Sequence, residues 1–232
     1  MALRDEIVGP IVLFFCLFFP MIAGVFIPLL ALYYRGMLGW LIIALIIIDY
    51  AVPMSRRAWP AYNSAWISPL AAAFRGYTPG NCLKIDPAMT IEKDRKYLFC
   101  AHPHGVFGFY VVSVMDFFAG KGIYMTCFAA PILCMLPLAR RHFSWMGMMA
   151  ADAKNMRKMN KNTDYPNNVF WSTPGGIEEA FCVPDAETEQ IVVAKRKGFC
   201  KIALQCGTDL IPVYGFGNNQ FFPVISGNLA PN

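Results

Sequence analysis

The longest apolar stretches of the chain lie at its start. Residues 7–34 contain no charged side chain, and residues 37–48 form a second uncharged run after Arg35 and Gly36. An apolar stretch of about 20 residues can cross a bilayer as a helix. The pattern therefore predicts an N-terminal membrane hairpin over residues 1–54, either as two spans or as a hairpin that dips into the bilayer and returns.

The segment after this hairpin is irregular. Proline and glycine recur through residues 55–95, which predicts a connector with short helical pieces. Its aromatic residues favour a place at a membrane interface, and a plain proline-rich loop is the alternative; they are Trp59, Tyr62, Trp66 and Tyr77. Arg56 and Arg57 favour the cytosolic side for everything that follows them.

From residue 96 onward, short apolar runs alternate with helical patterns. The predicted strands are 97–101, 123–129, 168–172, 191–194 and 210–216, and the predicted helices are 106–118, 131–148, 150–161 and 195–205. Such alternation is typical of an α/β domain. We therefore expect residues 96–232 to form a mixed sheet flanked by helices. Gly207 stands where the last helix needs a left-handed residue to end.

Composition narrows the function classes. The chain is 56% hydrophobic and 15% charged, against about 45–50% and about 25% in soluble domains. The net charge of +5 suits anionic lipid head groups or a polyanionic cosubstrate, and no motif indicates nucleic acid. The eight cysteines show no spacing suited to zinc, so reduced core thiols and no metal are expected.

Two of the three histidines, His102 and His104, follow the first strand of the α/β region. Catalytic groups gather at the carboxyl ends of strands in such sheets. A histidine can take a proton from a hydroxyl and make it a nucleophile. Gly105 lets the backbone approach a substrate closely. Catalysis and a merely structural turn remain open on these residues alone.

Two further segments carry candidate chemistry. After the strand 168–172 the chain reads Pro174-Gly175-Gly176-Ile177-Glu178-Glu179, and paired glycines can turn N–H groups toward an oxyanion. Farther on, Arg196, Lys197 and Lys201 surround the start of a predicted helix. Such a start suits phosphate groups, and a solvated basic face is the alternative.

In this order and spacing, the segments resemble the type-two acyl-CoA:diacylglycerol acyltransferase family, which includes monoacylglycerol and wax acyltransferases. The histidine signature is His102-Pro103-His104-Gly105, the glycine–glutamate block is Pro174-Gly175-Gly176 with Glu179, and the third block runs from Arg196 to Val213. The family often has glutamate or glutamine after the Phe-Gly pair, where this chain has Asn218. Family members also continue beyond the position of Asn232, so we expect the domain to be cut short at its carboxyl end.

The resemblance implies a glycerolipid-acyltransferase-like fold and an acyl-CoA-dependent O-acyltransferase that makes triacylglycerol from diacylglycerol. It implies His104, or else His102, as the general base, with Glu179 as the acid that orients a histidine. Gly105 shapes the turn, and Gly175 and Gly176 are the expected oxyanion donors.

The same resemblance implies that Arg196, Lys197 and Lys201 bind the phosphates of coenzyme A. It implies acyl-CoA as a cosubstrate with no tightly bound cofactor and no metal, a place in the endoplasmic reticulum membrane and on lipid droplets, and a body that faces the cytosol. A homo-oligomer is compatible with it. The acceptor stays open between diacylglycerol, monoacylglycerol and a fatty alcohol, and the rival class is a non-enzymatic lipid-droplet scaffold.

Overall fold

The computed structural model describes residues 15, 18–54, 58–77, 83–105, 108, 110–160, 166–182 and 190–220. Its centre is a five-stranded sheet with strands β1 Lys96–His102, β2 Thr126–Ala129, β3 Met148–Ala150, β4 Val169–Ser172 and β5 Thr208–Tyr214. The strand order is β3-β2-β4-β1-β5 and every pair is parallel. The predicted α/β class is therefore confirmed. The predicted mixed sheet is wrong, because a crossover between successive strands returns each one in the same direction.

The helices are α1 Phe19–Tyr34, α2 Met37–Ala51, α3 Pro60–Tyr77, α4 Tyr110–Ala119, α5 Ala139–Trp145, α6 Ala153–Met156, α7 Gly176–Ala180 and α8 Gly198–Cys206. Short 3₁₀ helices occupy Pro131–Cys134, Arg157–Asn160 and Asn218–Gln220. The side chains of α3, α4 and α5 cover one face of the sheet, and those of α6 and α8 cover the other.

Strand β1 shows how the sheet is held between these two layers. Tyr97 and Phe99 point into the cluster beneath α3 and α4, whereas Leu98 points into the cluster beneath α8. All three are buried, as expected for a central parallel strand with both faces covered. Strand β5 lies at an edge, where Pro212 removes no ladder donor that the sheet needs.

The helix predicted at 195–205 is confirmed as α8, although it starts three residues later. It ends at Gly207, whose φ of 58° and ψ of 48° are left-handed, as a C-terminal glycine allows. Residues 191–194 form no strand, so that prediction is wrong. Residues 106, 107 and 109 of the helix predicted at 106–118 lie outside the described residues.

The two long helices predicted over 131–148 and 150–161 are broken into shorter pieces. Leu138 has a φ of 63° and Gly147 a φ of 95°, and neither value continues a right-handed helix. The helical conformation is therefore interrupted between the Pro131–Cys134 turn and α5. It ends for good at Gly147, after which the chain forms β3. This edge strand of three residues was not predicted.

The connector contains an 18-residue helix, α3, which is longer than the short pieces predicted there. Tyr62 and Trp66 pack in T-shaped contacts against His142 of α5, so both join the body of the protein. The Tyr77 side chain, Arg56 and Arg57 lie outside the described residues.

Helices α1 and α2 form a hairpin that packs on the body. Gly39 approaches the Ala31 carbonyl so closely that an added Cβ would lie 2.5 Å from its oxygen. Gly24 meets the Pro137 backbone in the same way, and Arg141 donates to the Asp49 carboxylate at 2.6 Å. Among the described residues, no helix is both long and apolar enough to cross a membrane, so the predicted spans find no support there.

Candidate active site

The histidine turn, residues 102–105, follows strand β1 at the edge of the sheet where the carboxyl ends of the strands lie. His102 is the last residue of β1, which runs between β4 and β5. The chain then passes through a cis His102–Pro103 peptide and His104 to Gly105, whose φ is 59°. Both predicted histidines therefore lie where the topology gathers functional groups.

Glu179 of α7 holds this turn from one side. Its two carboxylate oxygens lie 3.0 Å from His102 Nδ1. The same carboxylate accepts the backbone N–H of His104 at 2.6 Å and that of Val192 at 2.7 Å. The side chain is fully buried. One carboxylate thus joins the histidine turn, α7 and the segment before α8.

The pKa of Glu179 reflects these contacts. Burial alone would raise the pKa of this carboxyl group, because it penalises the charged form. The hydrogen bonds from His102, Val192 and His104, together with the charge of His102, outweigh burial, and the pKa is lowered from its ordinary value. The group is therefore an anion at neutral pH and accepts from all three donors.

The hydrogen bonds assign the tautomers of both rings. His102 Nδ1 faces the Glu179 carboxylate, so Nδ1 carries a proton. His104 Nδ1 lies 2.6 Å from the carbonyl oxygen of Gly105, which can only accept. His104 Nδ1 therefore carries a proton as well, so Nε2 is the lone-pair nitrogen whenever the ring is neutral, and His104 is the histidine that lines the neighbouring cavity.

Glu179 was predicted to orient a histidine, with His104 preferred as the base. The structure brings all three residues together. The Glu179 carboxylate bonds to the ring of His102 but only to the backbone N–H of His104. The catalytic roles themselves stay predictions.

The opposite side of the turn is held by two residues to which the sequence analysis gave no role. Asn218 donates its amide to the carbonyl oxygens of Pro103 at 3.3 Å and His104 at 3.0 Å. The hydroxyl of Tyr110 donates to Pro103 at 3.0 Å. A Cβ on Gly105 would overlap with the Asn218 amide, so the turn and Asn218 fit together only with glycine there. The only sequence feature that pointed to Asn218 was its position after the Phe-Gly pair.

Gly175 and Gly176 lie at the start of α7, and each has a distinct role. A Cβ on Gly175 would overlap with the Glu179 carboxylate, so this glycine makes room for that side chain to fold back. Gly176 has a φ of 60° and donates its N–H to the Thr173 carbonyl at 3.1 Å. That N–H is engaged within the turn, which leaves Gly175 as the predicted oxyanion donor.

A cavity of about 650 Å³ opens beside His104, within the range of about 300–1,000 Å³ for ligand pockets. It extends along the carboxyl edge past β4 and β2 to β3. Its walls are mostly apolar and include Val111, Phe128, Ile132, Leu133, Trp171 and Phe181. The site therefore pairs a histidine with room for a large apolar group.

The three predicted phosphate-binding residues lie at the start of α8. Arg196 donates to the carboxylate of Glu178 at 2.7 Å. Glu178 precedes Glu179 in α7, so this contact lies next to the histidine turn's anchor. Lys197 and Lys201 are exposed, and neither has an ion-pair partner within the described part of the chain. Two basic groups are thus available to an anion.

Cys100, the cysteine closest in sequence to the histidine turn, does not add a nucleophile. Cys100 is buried in β1, and burial with the nearby Cys200 raises the pKa of its thiol to about 12. A thiol with such a pKa is protonated at neutral pH and unreactive. The six described cysteines are free, and four of them are buried. In the described ranges no group of three or more His, Cys, Asp or Glu residues could hold a metal ion.

Comparison with known proteins gives consistent relatives. The chain is 27% identical to Diacylglycerol O-acyltransferase 2 of Xenopus laevis over 198 residues, which cover 79% of this chain and 52% of the relative. It is 29% identical to 2-acylglycerol O-acyltransferase 1 of Homo sapiens over 172 residues, or 69% of this chain and 49% of the relative. The chain spans about half the length of these relatives. No solved structure matches it.

A family model described as Diacylglycerol acyltransferase matches residues 31–229. The match includes α2, all five strands, the histidine turn, Glu179 and Asn218. The chain therefore belongs to the diacylglycerol acyltransferase family.

Proposed function

We propose that this protein transfers the acyl group of an acyl-CoA to the free hydroxyl of a diacylglycerol and so makes triacylglycerol. One observation carries the proposal: His104, whose Nδ1 bonds to the Gly105 carbonyl, lines an apolar cavity of about 650 Å³. A base beside such a cavity can act on a hydroxyl while the hydrocarbon of a lipid substrate stays out of water. Family membership supports the same reaction.

In the proposed mechanism, His104 Nε2 takes the proton from the acceptor hydroxyl as its oxygen attacks the thioester carbonyl. A carbon–oxygen bond forms, and the carbonyl electrons move to an oxyanion that the Gly175 N–H stabilises. The carbon–sulfur bond then breaks, and the thiolate of coenzyme A takes the proton from His104. The protein's side chains return to their starting state.

His102 and Glu179 act on this base by holding the turn. The Glu179 carboxylate fixes the His104 backbone and the His102 ring together, so the His104 ring keeps one position. We propose Lys197 and Lys201, with Arg196, as the groups that hold the phosphates of coenzyme A, because Lys197 and Lys201 are exposed and Arg196 is tied to α7.

We propose that the hairpin of α1 and α2 attaches the protein to a membrane. Many of its large apolar side chains are more than half exposed, among them Tyr33 at 78%, Leu38 at 68% and Trp40 at 61%. Apolar patches of this kind mark membrane or protein contacts. Family membership favours the endoplasmic reticulum membrane and lipid droplets, with the body on the cytosolic side.

The test uses membranes from cells that lack their own triacylglycerol synthesis and express the protein. Labelled oleoyl-CoA is offered with diacylglycerol, monoacylglycerol or a fatty alcohol, and the labelled neutral lipid is measured. We expect triacylglycerol, and we expect His104→Ala to lower its formation by about 10²–10⁴-fold, as loss of a general base does.

The third histidine provides the matched control. His142 is buried among aromatic rings and bonds to Tyr62 at 2.8 Å, away from the turn. His142→Gln should keep its rate per folded molecule. Product from monoacylglycerol or the alcohol alone would reassign the acceptor. No product with any acceptor from folded, membrane-bound protein would contradict the enzyme and favour the scaffold.

A further inference from the structure

The cavity beside His104 is a trench that crosses the sheet. Its floor follows the register of the strands: Trp171 of β4, Cys127 of β2 and Met148 of β3 are paired in one row, and all three line it. From β1 to β3 there are three strand spacings, or about 14 Å at about 4.8 Å each. A ligand in the trench can therefore lie across four strands of the sheet.

The two ends of the trench differ in polarity. Among the described residues that line it, the polar side chains His104, Ser172 and Thr173 follow β1 and β4. The β2–β3 end has apolar side chains, including the small residues Ala130 and Ala151. A ligand with a reactive polar head and a hydrocarbon tail matches this order, with the head at His104.

The volume of the trench indicates which substrate it holds. At about 30 Å³ for a group the size of a water molecule, the trench holds about 20 methylene-sized groups. That is about the number of groups in one long acyl chain and about half the number in the two long chains of a diacylglycerol. The acyl donor carries one chain, and its thioester must reach the base.

We propose that the hydrocarbon chain of the acyl-CoA lies in this trench, and that Met148 and Ala151 on the β3 side limit its length. The proposal rests on the acyltransferase function proposed above. Strand β3 is the edge of the sheet, so these two residues are the last that the strands supply before the trench ends. The reactive carbonyl then lies at the β1 end beside His104, and the acceptor approaches from outside the trench.

The test compares rates across a series of acyl-CoA lengths, from octanoyl to oleoyl, with one acceptor. Ala151→Leu shortens the trench, and each methylene forced out of apolar surroundings costs about fourfold. We expect the ratio of oleoyl to octanoyl transfer to fall by about tenfold. Met148→Ala should shift the preference in the opposite sense, toward longer chains.

Ala153→Leu is the matched control, because it makes the same change two residues along at an exposed position outside the cavity. Its length profile should equal that of the unaltered protein. A second arm keeps oleoyl-CoA fixed and varies the acceptor from dioctanoylglycerol to dioleoylglycerol, and Ala151→Leu should leave this ratio unchanged.

The outcomes separate this proposal from the function on which it rests. If the Ala151→Leu and Met148→Ala variants are active and their donor profiles are unchanged, the trench assignment is overturned. The proposed acyltransferase function then still stands. A change in the acceptor arm alone assigns the trench to the acceptor and also overturns it. If Ala151→Leu fails to fold, the Met148→Ala profile decides. An unaltered protein that is inactive with every donor contradicts the function, and the trench assignment with it.

Discussion

The hairpin of α1 and α2 and the α/β body are both rich in apolar residues, yet they use them differently. In the body, Leu98 and Phe170 are 0% and 1% exposed, because helices cover both faces of the sheet. In the hairpin, Leu38 and Ile47 are 68% and 64% exposed. Apolar composition alone therefore does not determine burial; the number of layers around an element does.

Contacts to specific neighbours follow the same division. In the body, Glu179 has three separate donors and Asn218 has two acceptors. In the hairpin, close contacts concentrate at Gly24, Gly39 and Asp49. Single substitutions should accordingly have large effects in the body and small ones over most of the hairpin.

The largest effect is expected at Glu179. Glu179→Gln replaces an acceptor of three hydrogen bonds by an amide with one oxygen, so the histidine turn loses its anchor. Turnover should fall by about 10²-fold or more, because a positioned base is lost. The measurement is the rate of triacylglycerol formation per folded molecule, and a decrease below threefold would contradict the proposed role.

The same substitution has a defined pH dependence. The folded pKa of Glu179 lies below its ordinary value of 4.5, so its stabilising contribution is complete above about pH 5 and is lost as pH falls through the lowered pKa. The difference in unfolding free energy between the protein and Glu179→Gln should be constant above pH 5 and shrink in acid. A difference that grows in acid would reverse the sign of the shift.

Gly175→Ala should have the next largest effect. The φ of Gly175 is −60°, which alanine adopts freely, so the cost comes only from overlap with the Glu179 carboxylate. Overpacking of this kind costs about 1–3 kcal/mol, and we expect about a tenfold loss of turnover or more. Gly198→Ala is the control, since its Cβ would meet nothing within 4 Å. Equal activity in both variants would show that Glu179 can move without consequence.

Asn218 should matter somewhat less, because Tyr110 still donates to the Pro103 carbonyl. Asn218→Asp keeps the shape and removes the donor, which places a carboxylate against two carbonyl oxygens. We expect about a tenfold loss of kcat, about the value of one or two hydrogen bonds, with KM nearly unchanged. Asn218→Gln keeps a donor and should recover part of the loss. If Asn218→Asp is as active as the unaltered protein, the turn does not need this donor.

The local parts of the site could be predicted from the sequence. The apolar run before His102 predicts β1, and its end predicts the place of both histidines. The helical spacing that ends at Gly207 predicts α8. Each signal lies within about ten residues, so no knowledge of the fold is needed to detect it.

The remainder depends on contacts between distant parts of the chain. Asn218 and His104 are 114 residues apart in sequence, and no local pattern joins them. Strand direction follows from crossovers, so the residues of a strand cannot distinguish a parallel sheet from a mixed one. Strand β3 has three residues, too few to show a period, and it lies within an apolar run that also suits a helix.

The smallest effect is expected from an exposed leucine of the hairpin, and one pair of substitutions measures the contrast directly. Leu98→Ala in β1 removes a fully buried side chain and should lower the free energy of unfolding by about 2–5 kcal/mol. Leu45→Ala in α2, where the side chain is 55% exposed, should change it by less than about 0.5 kcal/mol. Vesicle flotation should reverse the order, because Leu45 then loses contact with lipid while Leu98 never had any. If Leu45→Ala lowers stability as much as Leu98→Ala, the exposed face of the hairpin is covered by protein; if it leaves flotation unchanged, this face does not contact the membrane.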